Sequence, residues 1–345
     1  MAHVLVTGAN GFVGSHLVTQ LLERQHTVTA VDWMVYGRHP LAPHADNPLF
    51  RQVRADVRSL KPDLMMGVDA VIDLAALAND ESGDLDPELT SSINYRARRR
   101  LGLLAKGLGV KRYVLGSSAS VYGAAPGREA TETGSVEPKS AQAECSKLAE
   151  DALLGLSDNE FAVTVFRGGN AYGLSRRMRF DLVLNALTLQ AFKSKKVAIA
   201  GTGEEQQPLI HVRDYSRAFV EAVEAPVEAV RGQIFNLAAG NYSVRQIAEK
   251  IQNTLPLAIA VDFEPGRPAE PDMRLNTQKI AKHLAFKPEI TPEQGIMEVF
   301  IALTTLRTYP SFTTKTAEVY KSLIAEGRLT PTQFLENIPG KRRSG

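Results

Sequence analysis

The chain has 345 residues, 44 % hydrophobic and 23 % charged, the balance of a soluble globular enzyme with one large or two smaller domains. A net charge of +2 gives no electrostatic footing for a nucleic acid or a membrane surface, and no apolar run is long enough to span a bilayer. The single cysteine, Cys145, excludes an internal disulfide and suits a reducing cytoplasm, and seven scattered histidines without a cysteine cluster give no expectation of a metal site. Along residues 1–166 strand and helix patterns alternate, the first residues reading as a strand and not a leader. Strands are expected at 3–6, 27–31, 50–53, 70–74, 113–116 and 162–166, and helices at 12–22, 58–65, 87–108 and 141–156. Repeated βα units imply an α/β fold, a doubly wound parallel sheet with helices on both faces. Arg96, Arg98, Arg99 and Arg100 on the third helix read as a solvated face. Beyond 167 the elements are smaller: a loop into a helix over 177–193, then helices at 214–225, 243–255, 277–284 and 292–305. This divides the chain into 1–168, a smaller lobe over 169–309 from which some segments are expected to rejoin the first domain, and a helical tail over 310–345. The tail has amphipathic stretches at 316–324 and 330–337 before a basic Lys341-Arg342-Arg343.

Residues 5–16, LVTGANGFVGSH, set Gly8, Gly11 and Gly14 between a strand and the helix that Phe12 and Val13 open. Lacking Cβ, glycine lets the chain turn tightly and approach a pyrophosphate, which then rests on the amides of the helix N-terminus. Asp32 closes the next strand, where a carboxylate accepts hydrogen bonds from ribose hydroxyls. The G-x-x-G-x-x-G spacing, with Thr7 before it and Asn10 inside it, resembles the extended branch of the short-chain dehydrogenase/reductase superfamily, the nucleotide-sugar epimerase/dehydratase group. The resemblance implies a Rossmann-type domain with a smaller C-terminal lobe. Asp32 favours NAD over NADP, since it would repel a 2′-phosphate.

The resemblance runs over about residues 3–305 and implies a role for several segments. Asp56-Val57 matches the pair that contacts adenine. Asp73-Leu74-Ala75-Ala76 resembles a strand-end H-L-A-A whose small residues admit the cofactor, with Asp73 in place of histidine. Asn94 matches an asparagine that orders the cofactor side. Ser117-Ser118-Ala119-Ser120-Val121-Tyr122-Gly123 matches S-S-x-x-V-Y-G, which makes Ser118 the catalytic hydroxyl and a substrate ligand. Arg167–Gly173 resembles R-x-x-N-x-Y-G, whose asparagine, here Asn170, binds a nucleotide sugar. Residues 176–185, RRMRFDLVLN, resemble the loop and helix under the nucleotide and bring in Arg179. Residues 201–203 and 210–214 resemble G-x-G and I-H-V-x-D. Gln207 stands where many relatives carry a phosphate-binding arginine. Gly266-Arg267-Pro268 resembles the segment whose arginine grips a diphosphate, and Arg274 is a second candidate.

The pattern breaks at the proton-transfer pair. The superfamily needs a tyrosine four residues before a lysine that lowers the phenol's pKa. Lys147 is followed by the expected Leu-Ala-Glu, yet four residues earlier stands Ala143. Counted from the upstream Pro138-x-Ser140, the tyrosine position is Gln142. Neither register gives a phenol. Glu144, Cys145, Tyr122 or a water held by Lys147 are the substitutes within reach. Ala119-Ser120 replaces the Asp-Glu pair of dehydratases, and Ser120 the glutamate of decarboxylases. What remains is an epimerase-like reaction through a transient keto-sugar with a non-standard acid/base. Beside it stand a catalytically silent NAD/ligand-binding protein and a reductase of a non-sugar carbonyl. The resemblance also implies a homodimer through helices 87–108 and 141–156.

Overall fold

In strand β1 (His3–Thr7) Val4, Leu5 and Val6 are fully buried on both faces, as a continuous apolar run at the centre of a parallel sheet requires. The structure, a computed structural model, describes residues 1–124, 127–264, 266 and 271–331. Helix α1 (Gly14–Glu23) follows, then β2 (Thr27–Asp32), β3 (Phe50–Arg54) and β4 (Ala70–Asp73). A helical run α2 joins Pro87–Ser91, a wider π turn over Ser92–Ala97, and Arg98–Gly107, and leads into β5 (Arg112–Ser118). Helix α3 (Ala141–Leu154) and β6 (Ala162–Gly168) complete this part. The seven-stranded sheet has the order β10-β6-β5-β4-β1-β2-β3, with every pairing parallel. The strand order reverses beside β1, which places a crevice at the C-terminal strand ends.

The expected helix over 58–65 is instead two short turns, Val57–Ser59 and Pro62–Met65. Pro62 forces Lys61 into an extended conformation, which breaks the run.

The second lobe is made of β7 (Asn170–Tyr172), α4 (Val183–Ser194), β8 (Lys196–Ala200) and β9 (Gln206–His211) with later elements. Strand β9 pairs with β7 and with β11 (Gly240–Ser243), while β8 pairs with β12 (Ala260–Glu264). Helix α6 (Val244–Thr254) packs Ile247, Ala248 and Ile251 against Leu184, Leu187 and Val197. Between these segments the chain returns to the first domain. Helix α5 (Val212–Glu224) lays Ala218, Phe219 and Ala222 against Leu17, Val18 and Leu21 of α1, and β10 (Gln233–Leu237) becomes the edge strand beside β6. Helices α7 (Gln278–Leu284) and α8 (Pro292–Thr304) follow. The tail then crosses back as α9 (Thr316–Ala325), whose Val319, Tyr320 and Leu323 pack with Leu77, Leu89 and Leu329 over the ends of β2 and β4. Residues 332–345, with most of the second amphipathic stretch, lie outside the described residues.

Candidate active site

A cavity of about 930 Å³ runs from the turn after β1, past the end of β5, into the second lobe. Its first part is backbone. Gly8 has φ +66°, and a Cβ there would sit 2.8 Å from the Leu74 carbonyl carbon; a Cβ on Gly14 would sit 2.3 Å from the Gly8 carbonyl oxygen. The turn closes only on glycine, and its surface, with Gly11, Phe12 and Val13, lines the cavity. Asp32 faces the same space, and its carboxylate accepts hydrogen bonds from the Asn10 amide (2.9 Å) and the Met34 amide (2.6 Å). Burial raises its pKa, which those two amides partly offset. Asn10 is spent within the protein, donating to the Gly37 carbonyl and accepting from Gln52, so it shapes the turn instead of facing the cavity.

Leu74, Ala75 and Ala76 form the opposite wall. Asp73, in place of histidine, is buried behind them and accepts from the hydroxyls of Thr7 (2.5 Å) and Tyr113 (2.6 Å). Asn94 likewise works from behind: its amide both donates to and accepts from the Leu77 backbone, and the π turn carrying it lets it face that strand end. Asp56 and Val57 line the cavity, with the Asp56 carboxylate held by Arg58 at 2.6 Å.

Farther along the cavity, Ser118 closes β5 with its hydroxyl 2.9 Å from that of Ser120. Ser117 behind it donates to Glu150 (2.5 Å), which forms a buried ion pair with Arg167 at 2.7 Å. Helix α3 begins at Ala141 because Ser140 caps the Ala143 amide, and the start is pinned by Ser140 to Asp80 (2.5 Å) and by the Ala141 amide to Asp84 (2.9 Å). This register turns Gln142 into the cavity wall and buries Ala143 against the protein. One turn on, Ser146 accepts from the Gln142 amide at 3.2 Å, while the Gln142 carbonyl oxygen is buried with no partner. Lys147 is therefore one residue out of phase. Its ammonium points to the outer face, bound to Asp151 at 2.5 Å, and it does not line the cavity, against the expectation for a catalytic and cofactor-binding lysine. None of the other proposed substitutes lines it either. Glu144 is exposed, burial raises the Cys145 thiol, and the Tyr122 hydroxyl donates to buried Asn236 at 2.7 Å.

A positive charge reaches this end from α2 instead. Arg98 is buried and not solvated as expected; it lines the cavity with its Nε 3.9 Å from Asp73 and without a hydrogen-bond partner. Its charge is felt at Cys145 on α3 and at Tyr215 on α5, whose phenol burial pushes up to about 12. A run of four arginines near one helix hides the one that faces inward; the only signal is the i+4 spacing from Asn94.

In the second lobe Asn170 and Gln207 line the cavity and bond to each other at 2.7 Å, with Gln207 also donating to the Pro271 carbonyl. Arg179 lines it too, gripping Asp181 through two hydrogen bonds of 2.9 and 3.0 Å. Arg267 lies outside the described residues.

The sequence profile of the NAD dependent epimerase/dehydratase family matches residues 4–238. The chain belongs to that family. The chain is similar to UDP-glucuronic acid decarboxylase 2 of Arabidopsis thaliana, 28% identical over 302 residues, 85% of this chain. This chain spans 66% of that plant protein, just under two thirds. UDP-glucose 4-epimerase of Mycolicibacterium smegmatis is 28% identical over 308 residues, 85% of this chain and 95% of its own length. Among solved structures, MoeE5 in complex with UDP-glucose and NAD superposes with a TM-score of 0.75 at 25% identity, covering 89% of this chain and all of its own. UDP-glucuronic acid 4-epimerase from Bacillus cereus shares the fold, with a TM-score of 0.79 at 22% identity. The family's cofactor, NAD, fits the residues present: the glycine turn, which closes only without a Cβ at Gly8 and Gly14, lines the cavity, and the Asp32 carboxylate faces the same space. Gln142 and Arg98 line the same cavity as the glycine turn.

Proposed function

We propose that this chain holds NAD and a nucleotide sugar in one cavity and interconverts the hydroxyl and keto states of a sugar carbon, an epimerase-like oxidoreduction. The observation that carries this reading is the continuity of the cavity, from the glycine turn through Ser118 to the Asn170–Gln207 and Arg179 wall. Bound NAD supplies the hydride acceptor and, once reduced, the donor. Ser118 orients the reacting oxygen, and the Ser120 hydroxyl 2.9 Å away extends a path for its proton. An amide is no base at neutral pH, so Gln142 positions a hydroxyl through its free carbonyl oxygen and leaves the proton to hydroxyls and water. Arg98 contributes fixed positive charge where an alkoxide develops. Ala119 and Ser120 offer no carboxylate for dehydration or decarboxylation.

One observation favours a second reading, binding without turnover: a neutral side chain stands at the proton-transfer position. A single-turnover experiment with NAD and UDP-, dTDP- and GDP-hexoses separates the two. A transient near-ultraviolet rise from reduced nicotinamide, with an altered sugar by NMR, supports the redox reading. Tight binding of both ligands with no hydride transfer leaves the binding protein.

The same reading places the protein in the cytoplasm as a homodimer. No described helix is long and apolar enough to cross a membrane, and Leu103 and Leu148 are about half exposed on the outer faces of α2 and α3. Sedimentation of wild type against Leu148→Glu tests the dimer: wild type should run as twice the chain mass and the variant as a monomer.

A further inference from the structure

The tail lies beyond residues 4–238, which the family profile matches. Its described part does not hang free. The Thr314 carbonyl accepts from the Phe180 amide (3.0 Å), the Thr316 amide donates to Asp181 (3.1 Å), and the Thr330 carbonyl accepts from Arg58 (2.6 Å). These ties seat α9 across the end of the cavity where Asp32 stands, with Thr316, Tyr320 and Leu329 in its wall.

Beneath α9 lies Arg177, 4 % exposed, its guanidinium 3.7 Å above the ring of Tyr36, which meets Tyr320 edge-on at 6.3 Å. One Nη donates to the Thr316 hydroxyl at 3.0 Å, while Nε and the other Nη are buried without a partner. Leaving two donors of a buried cation unsatisfied is costly, so such donors mark a place for an acceptor. Arg177 and Asp32 line the same end of the cavity, and the carboxylate feels the guanidinium's charge. A vicinal diol suits the two together: it donates to a carboxylate and accepts from a guanidinium. The aromatic faces of Tyr36 and Tyr320 suit a purine.

We propose that Arg177 and the C-terminal helix α9 complete the cofactor site, Arg177 donating to the adenosine half of the dinucleotide and α9 closing over it. This rests on the reading of the cavity as a dinucleotide site. The cofactor then leaves only when the tail lifts, and binding at the adenosine end orders the tail.

The test uses the full chain and Trp33, the one tryptophan of the sequence, which lines the same end of the cavity and reports ligand arrival by its fluorescence. Hydrogen exchange of residues 316–329 is followed in wild type with NAD, ADP-ribose or nicotinamide mononucleotide. NAD and ADP-ribose should slow exchange alike, and nicotinamide mononucleotide should leave it unchanged. Arg177→Met and Tyr320→Ala should each release NAD about tenfold faster or more, the loss expected for one charge-assisted hydrogen bond or a lost cover. Exchange in the tail that ignores NAD while Trp33 reports its binding overturns the inference and leaves the dinucleotide reading intact. A wild-type chain that binds neither NAD nor ADP-ribose removes both.

Discussion

Around the glycine turn and the Leu74–Ala76 strand end the cavity wall is largely main chain, whereas beside the end of β5 it is side chain: Ser118, Gln142 and Arg98. The main-chain end keeps the family's form because any Cβ at Gly8 or Gly14 would overlap backbone that has nowhere to move. The side-chain wall instead carries a neutral amide from α3 and a cation from α2. Binding and chemistry thus answer to separate constraints within one cavity. Backbone geometry tolerates almost no substitution, while a helix face exchanges its functional groups at the cost of local repacking.

Gly14→Val should strike the first end hardest, abolishing the Trp33 response to NAD at concentrations that saturate wild type while the far-ultraviolet spectrum stays folded. Arg98→Met comes next, since it removes the cation beside the buried Asp73 carboxylate and leaves it only the Thr7 and Tyr113 hydroxyls. A loss of about 3–5 kcal/mol in urea unfolding is expected, with partial recovery in the Arg98→Met/Asp73→Asn pair. Rebuilding the other end by Gln142→Tyr with Ser146→Lys sets a phenol and an ammonium at i and i+4 on the inner face. Hydride transfer should then rise by about a hundredfold, the usual scale of a positioned acid/base; no gain would show that Arg98 and the hydroxyls already suffice. Ala143→Tyr, by contrast, forces a ring into a packed position and should only destabilise.

A smaller effect is pH-dependent. Burial pushes the Asp181 carboxyl up, but Arg179 and Thr316 hold it below its usual value. A carboxylate lowered in the fold stabilises it above the unfolded pKa, and that contribution fades as pH falls through the folded one. The tie between Asp181 and the tail should therefore weaken below about pH 4, seen as faster proteolysis near Thr316 at pH 3 than at pH 5. Least affected should be Lys147→Met, since a half-exposed i,i+4 pair with Asp151 is worth no more than about 0.5 kcal/mol and turnover should not move.

The cradle was legible because its signals are local: three glycines, a strand before them, a helix after, and an acid one strand on. Ser118 was legible for the same reason. The position of the lysine was not. Its register is decided by where α3 starts, and that start is fixed by Asp80 and Asp84, some sixty residues away in sequence. Counting back from Lys147 selects Ala143 and counting forward from Ser140 selects Gln142; the cap turns Gln142, and not Ala143, into the cavity wall. Arg98 was hidden among surface-type neighbours, and the break at Pro62 was overlooked in a segment with helical spacing. The tail's docking joins residues as far apart as Arg58 and Thr330, a separation no periodicity reveals.

Strand β10 enters the large sheet only after the chain has visited the second lobe, pairing Gln233–Leu237 with Thr164–Gly168. A fragment ending at residue 168 would leave β6 with its outer edge bare, an invitation to pair with other chains. The cofactor domain is consequently not a detachable module. Engineering that moves it into another protein must carry residues 212–237 as well, the helix that packs on α1 and the strand that covers β6.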